Sequence, residues 1–409
     1  MAAATKVAQD PEIIARLQSE AARNPGAYRL RLALIAIAGD LALMVTRVLP
    51  WAAPIIIGVL LINLKLYYWL GGAAILFLIW MLRPGFRFSG RELTAEEAPE
   101  LFREIAGLKR KLRVPGRMRI YLDGSLNASA AESRGLFGVL GTQSALTLGV
   151  PLLIALDREQ VLAVVAHEFG HFSRRHGRLG TWLYRARVGW MQYAEQVDDS
   201  DSSFDRAAAW YARQFVPFFS ARSLVHSRQC EYEADADAAL ACGSSCVAAA
   251  LARIAVLARL WDEHLPRRIA GWQLDMPTPP ADFHERFERV SRECPASDQQ
   301  ALLDKELRAP SGWLDTHPSL SERLASLKEA PRLAAAADCA GERLLGDAWP
   351  KVLAEFNAKW SRDARSGWLL DHLRLKHVTH ALLAAGPARQ ESGAQADTLR
   401  LCGSPADRE

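Results

Sequence analysis

Residues 157–177 read DREQVLAVVAHEFGHFSRRHG and contain His167-Glu168-Phe169-Gly170-His171, an H-E-x-x-H. Residues four apart on a helix share a face, so this spacing lets His167 and His171 present two imidazoles to one metal ion, with Glu168 in reach of a water beside it. The surrounding residues predict that helix. Asp157 followed three residues later by Gln160 has the form of a capping box. Leu162, Val165, Phe169 and Phe172 form an apolar stripe that would hold the helix on a core. A surface helix with two stray histidines would show the same five residues, so the rest of the site has to come from elsewhere in the chain.

A second stretch, HSRQCEYEADADA at 226–238, supplies it. Zinc sites that do chemistry take three protein ligands and leave one position open. Glu231 is the candidate third ligand. Asp235 lies one turn further on the same face, placed to accept a hydrogen bond from a ligand histidine and fix its tautomer. His176, five residues past His171, and His226, five before Glu231, fall off the ligand faces. Cys230 is next to Glu231 but points about 100° away on a helix.

The pairing of HEFGH with Ser227-Arg228-x-x-Glu231-x-x-x-Asp235 resembles the membrane zinc metallopeptidases that include HtpX and the type 1 CAAX prenyl proteases, a gluzincin family. Two more segments carry the resemblance: Asn127-Ala128-Ser129-Ala130 upstream, and Thr316-His317-Pro318-Ser319-Leu320 followed by Glu322-Arg323-Leu324 downstream. The four motifs stand in the family's order over residues 90–330. The resemblance implies an α+β zincin-like catalytic domain, mainly helical with a small mixed sheet, and one Zn²⁺ per chain. It implies that Asn127–Ala130 opens an edge strand beside the metal, where a peptide can add as a further strand. On residue pattern alone that segment is a loop. It also makes Asn127 and His317 candidates for contacts to substrate or transition state, although a histidine capping the turn at 316–318 is an equally simple reading of His317.

Composition sets outer limits. The 409 residues are 50% hydrophobic and 23% charged, enough for a packed domain and an apolar segment besides. A net charge of +4 needs no nucleic-acid partner, because basic flanks around an apolar stretch account for it, and no nucleic-acid-binding pattern is present. The six cysteines, Cys230, Cys242, Cys246, Cys294, Cys339 and Cys402, have no C-x-x-C spacing, which suits free thiols in a reducing compartment.

Residues 1–31 are polar and of helical tendency, and lack the form of a secretory leader. Composition changes sharply at 32–82, an apolar run long enough for two membrane-crossing helices at about 20 residues each. A transmembrane helical hairpin is predicted. Its turn falls at Arg47–Pro54, where Pro50 and Pro54 interrupt helix and Trp51 suits an interface, leaving Asp40 and Lys65 at equal depth as a pair. A turn near Lys65 is the alternative. Arg23, Arg29 and Arg31 before the run, with Arg83, Arg87 and Arg91 after it, put both ends in the cytoplasm.

Further along, a helix is expected from Thr94 to Leu112, with Lys109, Arg110 and Lys111 complementing its C-terminal dipole. Strands are expected at Arg117–Asp123 and Ser144–Leu148. The aromatic and arginine-rich 178–225 suits a membrane surface, a path for unfolded substrate, or core with a long insertion. Helices are expected over 215–242, ending near Gly243, and over 245–264, with no clear apolar 20-residue run after 177. The resulting division is a cytoplasmic segment 1–31, a hairpin 32–82, a catalytic domain 84–330, a helical extension 331–385 and a disordered tail 386–409.

From this follows the expectation of a membrane-anchored zinc endopeptidase, integral to a bacterial inner membrane with its catalytic domain cytoplasmic. The resemblance extends its partners to the lipid bilayer and to misfolded or membrane polypeptides, implying quality control; no oligomeric state is implied. A non-proteolytic zinc-binding scaffold or chaperone-like protein is the alternative, against which stands the intact Glu168. Prenyl-protein processing fits less well, because a single apolar block cannot enclose the large membrane chamber of those enzymes.

Overall fold

The computed structural model describes residues 11–39, 41–42, 72, 90–134, 142–173, 203–311, 317–333 and 338–384. Helix α1 spans Pro11–Arg23 and α2 runs through 25–39. Then come β1 (Arg91–Leu93), α3 (Pro99–Lys111), β2 (Met118–Asp123), β3 (Ala128–Arg134), β4 (Thr142–Gly149), α4 (Val150–Ala155), α5 (Arg158–Ser173) and α6 (Ser203–Cys242). The remainder is helical: α7 (Ser244–Arg259), a π turn at Leu260–His264, α8 (Leu265–Asp275), α9 (Phe283–Glu293), α10 (Ala296–Arg308), α11 (Leu320–Leu327), α12 (Ala340–Leu345) and α13 (Trp349–Ala384). The class is as expected, mostly helix with one small mixed sheet.

That sheet has the order β1-β2-β4-β3. β2 and β4 run parallel while β1 and β3 are antiparallel to their neighbours. The inner strands bury Ile120, Leu122, Leu146 and Leu148 in the same core as Leu101, Ile105 and Leu108, which recur at helical spacing on α3. α3 begins later than expected. Thr94 and Glu97 exchange backbone-to-side-chain hydrogen bonds in a preceding turn, and Pro99 then occupies the first helical turn, where its missing N–H costs nothing. β3 is an edge strand, as the family resemblance implied and the local pattern did not.

Gly149 ends β4 because nothing larger fits: a Cβ there would lie 1.7 Å from Ser125 O, and its N–H donates to Asn127 O at 2.8 Å. From this tight exit the chain enters α4, whose six residues are all buried, and reaches Asp157. The capping box read from sequence is present, with Gln160 N–H donating to Asp157 Oδ1 at 2.8 Å and Asp157 N–H to Gln160 Oε1 at 3.2 Å. Helix α5 then buries Val161, Leu162, Val165 and Phe169 in the main core, and Phe169 is fully enclosed.

Helix α6 is 40 residues long and stops at Gly243, whose φ of 92° is open to glycine at little cost. It crosses α5 at Gly170, where an added Cβ would sit 2.7 Å from the Ala234 Cα and 3.1 Å from its Cβ. Small residues at this crossing bring the two backbones together. The other part of α6 carries a second cluster, in which Phe219, Ala221 and Val225 pack with Leu17, Ala21, Tyr28, Leu32 and Ala36 of α1 and α2. Arg29 of α2 pairs with Glu233 at 3.1 Å, and Tyr28 donates to Arg222 O. The opposite face of this N-terminal helix shows Leu30, Leu34, Ile37 and Leu41 to the exterior.

Among the described residues one helical run, Ser244–Asp275, is long and apolar enough to cross a membrane. No such run was expected after residue 177. Its Val247, Val256, Leu257, Leu260 and Leu265 lie in the same core as α5, which accounts for its apolar composition. Arg253 within it is buried and reaches Gln299 Oε1, Ser291 O and Ala155 O, tying α7 to α10, α9 and α4. The expected extension 331–385 shares this core through Leu344, Trp349, Val352 and Phe356. Trp360 stacks on Phe283 at 4.0 Å, and Trp368 Nε1–H donates to Met276 O.

Most of the expected hairpin 32–82, His176, the segment 178–202 and the tail 386–409 lie outside the described residues. The described cysteines Cys230, Cys242, Cys246, Cys294 and Cys339 are free, in line with the sequence reading. Because the α5–α6 crossing has no room for a methyl group, Gly170→Ala should destabilise the fold by about 1–3 kcal/mol. Thermal unfolding measures this, and an unchanged midpoint would show that the crossing is looser than described.

Candidate metal centre

The α5–α6 crossing brings together the residues that the two sequence stretches singled out. His167 and His171 stand one turn apart on α5, their ring centroids 4.9 Å apart and their planes perpendicular. From α6, Glu231 sets Oε2 3.5 Å from His167 Nε2 and Oε1 3.6 Å from His171 Nε2. One potential ligand atom from each of the three lies within 4.8 Å of the others. Ligands about 2.1 Å from a tetrahedral ion stand about 3.4 Å apart, so these separations are of the right size for zinc.

The electrostatics agree with that fit. Glu231 Oε2 is buried and receives no well-aligned hydrogen bond, although His317 Nδ1 is 2.8 Å from it. A buried, unsatisfied carboxylate oxygen is costly, and a cation among these three side chains would relieve it. Burial acts to raise the Glu231 carboxyl, but contacts with His167 and His317 outweigh it and hold it well below the usual carboxylate range. Burial likewise acts to lower His167, and its contacts with Asp235 and Glu231 overcome this, raising it to about 9. His171 has no such compensation: burial and the neighbouring His167 lower it to about 4. The two imidazoles thus differ: His167 is held by carboxylates on both ring nitrogens, whereas His171 meets burial and a neighbouring imidazole.

Asp235 fixes the orientation of the first histidine. Its Oδ1 is 2.9 Å from His167 Nδ1, and because the carboxylate can only accept, Nδ1 carries the proton and Nε2 faces Glu231. Sequence reasoning anticipated this contact but missed what holds Asp235. Arg323, in the first turn of α11, donates from Nε to Oδ2 at 2.8 Å and from Nη2 to Oδ1 at 2.6 Å, a two-pronged grip. Burial acts to raise the Asp235 carboxyl, and Arg323 and His167 together bring it below its ordinary value.

The start of α11 is locked in turn. Ser319 and Glu322 form a capping box, and the Ser311 hydroxyl hydrogen-bonds both Glu322 and the Ser319 N–H. That cap fixes His317, two residues before it, and Arg323, four residues after it. Ser319-x-x-Glu322 is visible in the sequence as a helix start, and it was the signal that could have directed attention to Arg323.

Glu168 is half-buried beside the three-residue group. Burial raises its carboxyl above the ordinary value, and its Oε2 accepts the backbone N–H of Ala130 on β3 at 3.0 Å. Asn127 stands immediately before β3. Its side chain is exposed and Oδ1 accepts the N–H of Ala128 at 2.9 Å, so it lies along the edge strand and is not one of the three converging residues. His317 is 67% exposed on its side chain and reaches Glu231 across the mouth of the site. His226 is buried against Cys230, away from the ligand group, as its spacing indicated.

Two imidazoles and a carboxylate converging beside a further, half-buried carboxylate, on helices next to a sheet edge, define a metal-dependent hydrolase centre. A comparison with family models supplies the particular family: residues 97–331 match Peptidase family M48, and the chain belongs to that family of metallopeptidases. The match takes in all four motifs and ends before α12. No curated protein and no solved structure matched the chain.

Removing the arginine grip leaves the buried Asp235 carboxylate with only the His167 N–H against its charge. Arg323→Ala should weaken metal binding by about 10- to 100-fold, as loss of a partner behind a ligand histidine does. It should also lower stability by about 3–5 kcal/mol. Competition with a chelator measures the first and denaturant unfolding the second, and wild-type values for both would mean that Arg323 does not support His167.

Proposed function

We propose that this metallopeptidase is a zinc-dependent, membrane-anchored endopeptidase of the HtpX-like kind that cuts unfolded or membrane polypeptides in protein quality control. The observation that carries the zinc reading is the meeting of Glu231 with His167 and His171, three donors of the type and spacing that zinc takes, with one carboxylate oxygen otherwise unsatisfied. When bound there, zinc supplies Lewis acidity, which polarises a carbonyl and lowers the pKa of water.

The chain's own groups do the rest. His167, oriented by Asp235 and Arg323, and His171 and Glu231 hold the ion. Glu168 takes a proton from the attacking water and returns it to the departing amine nitrogen. Burial, which raises its carboxyl, suits a group that must hold that proton between the two steps. A substrate strand lies along the outer edge of β3, where the side chains of Ala128, Ser129 and Ala130 are small enough to let it approach. Asn127 and His317, at either side of that path, contact the substrate.

Support for the membrane reading comes from 32–82 and from the helix leading into it. Leu30, Leu34, Ile37 and Leu41 recur at helical spacing on its exposed face and would turn toward acyl chains. The same helix packs against α6, which links the start of the apolar run to the helix that carries Glu231. Basic residues flanking the apolar run support a cytoplasmic position for both ends and for the site.

Two substitutions test the assignment. Glu168→Gln should reduce cleavage of casein by at least about 100-fold while zinc remains bound. Retained cleavage would remove Glu168 from the role of base. Glu231→Ala should abolish stoichiometric zinc by elemental analysis, and unchanged zinc content would mean that the third ligand lies elsewhere.

A further inference from the structure

The edge of β3 and the Glu168 carboxylate are joined by a single hydrogen bond, and its position restricts how a peptide can lie there. Asn127 O accepts the N–H of Gly149, which fixes the parity of the strand. Hydrogen-bonding direction alternates along an antiparallel pair, so residues 129, 131 and 133 face β4 while 128, 130 and 132 turn their amides outward. Two of the outward amides are engaged. Ala128 N–H donates to Asn127 Oδ1 at 2.9 Å, and Ala130 N–H donates to Glu168 Oε2 at 3.0 Å.

A glutamate has three side-chain torsions, and holding it in one orientation costs rotamer freedom. Among the described residues the Ala130 amide is the only hydrogen-bond donor to the Glu168 carboxylate. It fastens Oε2 and leaves Oε1 as the oxygen available to a proton. Because the donor belongs to the backbone of a sheet, its position is as rigid as the strand itself, which is what a base that must meet a water at a set distance requires.

We propose, building on the peptidase reading above, that the backbone N–H of Ala130 is the positioning donor for Glu168 and thereby sets where substrate pairing ends. An amide hydrogen engaged by Glu168 is not available to a peptide carbonyl. A strand added to this edge can pair with the outward groups of Glu132 and with the carbonyl of Ala130, and there the ladder stops. The next peptide group of the substrate leaves the sheet over Glu168 and the three metal ligands, so the scissile bond falls at this end of the paired stretch. The edge thus measures the substrate from the strand toward the base.

Replacing Ala130 by lactic acid through nonsense suppression, in the full-length zinc-loaded protein, removes this N–H and keeps the methyl side chain. With an unfolded fluorogenic peptide, kcat should fall by about 10- to 100-fold. KM should stay within about twofold and zinc content should not change. The same ester at Ala128, whose N–H meets Asn127 and not Glu168, should alter KM rather than kcat. The proposal is overturned by a kcat within about twofold of wild type at position 130, by a raised KM with kcat intact, by loss of zinc, or by an equal fall of kcat in both esters. A wild-type chain that cleaves no peptide sinks the peptidase assignment itself, and this inference with it.

Discussion

The distance between two helix backbones at Gly170 and Ala234 governs the rest of the site. A Cβ on residue 170 would lie 2.7 Å from the Ala234 Cα, so the crossing exists only because one residue has no side chain and the other has a methyl. Glu231 stands one turn before Ala234, and His167 and His171 lie on either side of Gly170. Close packing here converts two unrelated helical faces into one group of three donors. Interiors are dense and give little, so a shift of the crossing would be felt at every ligand distance.

Around that point the fold repeats one pattern: each group that matters is held by another that is itself fixed. His167 is oriented by Asp235, Asp235 by Arg323, and Arg323 by a capped helix start that also presents His317. Glu168 is held by an edge strand whose position follows from the tight exit at Gly149. The ends of the chain act as braces. α2 is packed and ion-paired to the ligand helix through Arg29 and Glu233, and α13 closes the far side of the core through Trp349, Phe356 and Trp360.

How much of this could be read from residues alone depended on range. Interactions within a turn or two were legible: the Asp157–Gln160 cap, the i, i+4 histidines, the apolar stripe of α5 and the glycine stop at 243. The choice of Glu231 required the chemical demand for a third ligand together with a second helical pattern. The strand character of 128–134 came only from resemblance, because Ala-Ser-Ala-Ala lacks the β-branched residues that mark a strand and is held there by β4. Arg323 stands in a motif that carries the resemblance, but its role was not legible, since its partner is 88 residues away and no local period connects them. The apolar run at 244–275 was misjudged because burial among other helices and immersion in lipid ask for the same composition.

The central claim is that the crossing of two helices gathers two imidazoles and one carboxylate around a single zinc ion. X-ray absorption at the zinc edge of the full-length, zinc-loaded protein tests it most directly. The account predicts nitrogen and oxygen neighbours only, at about 2.0–2.1 Å, with the outer-shell pattern of two imidazoles. A sulfur neighbour near 2.3 Å, or the pattern of a single imidazole, would contradict it.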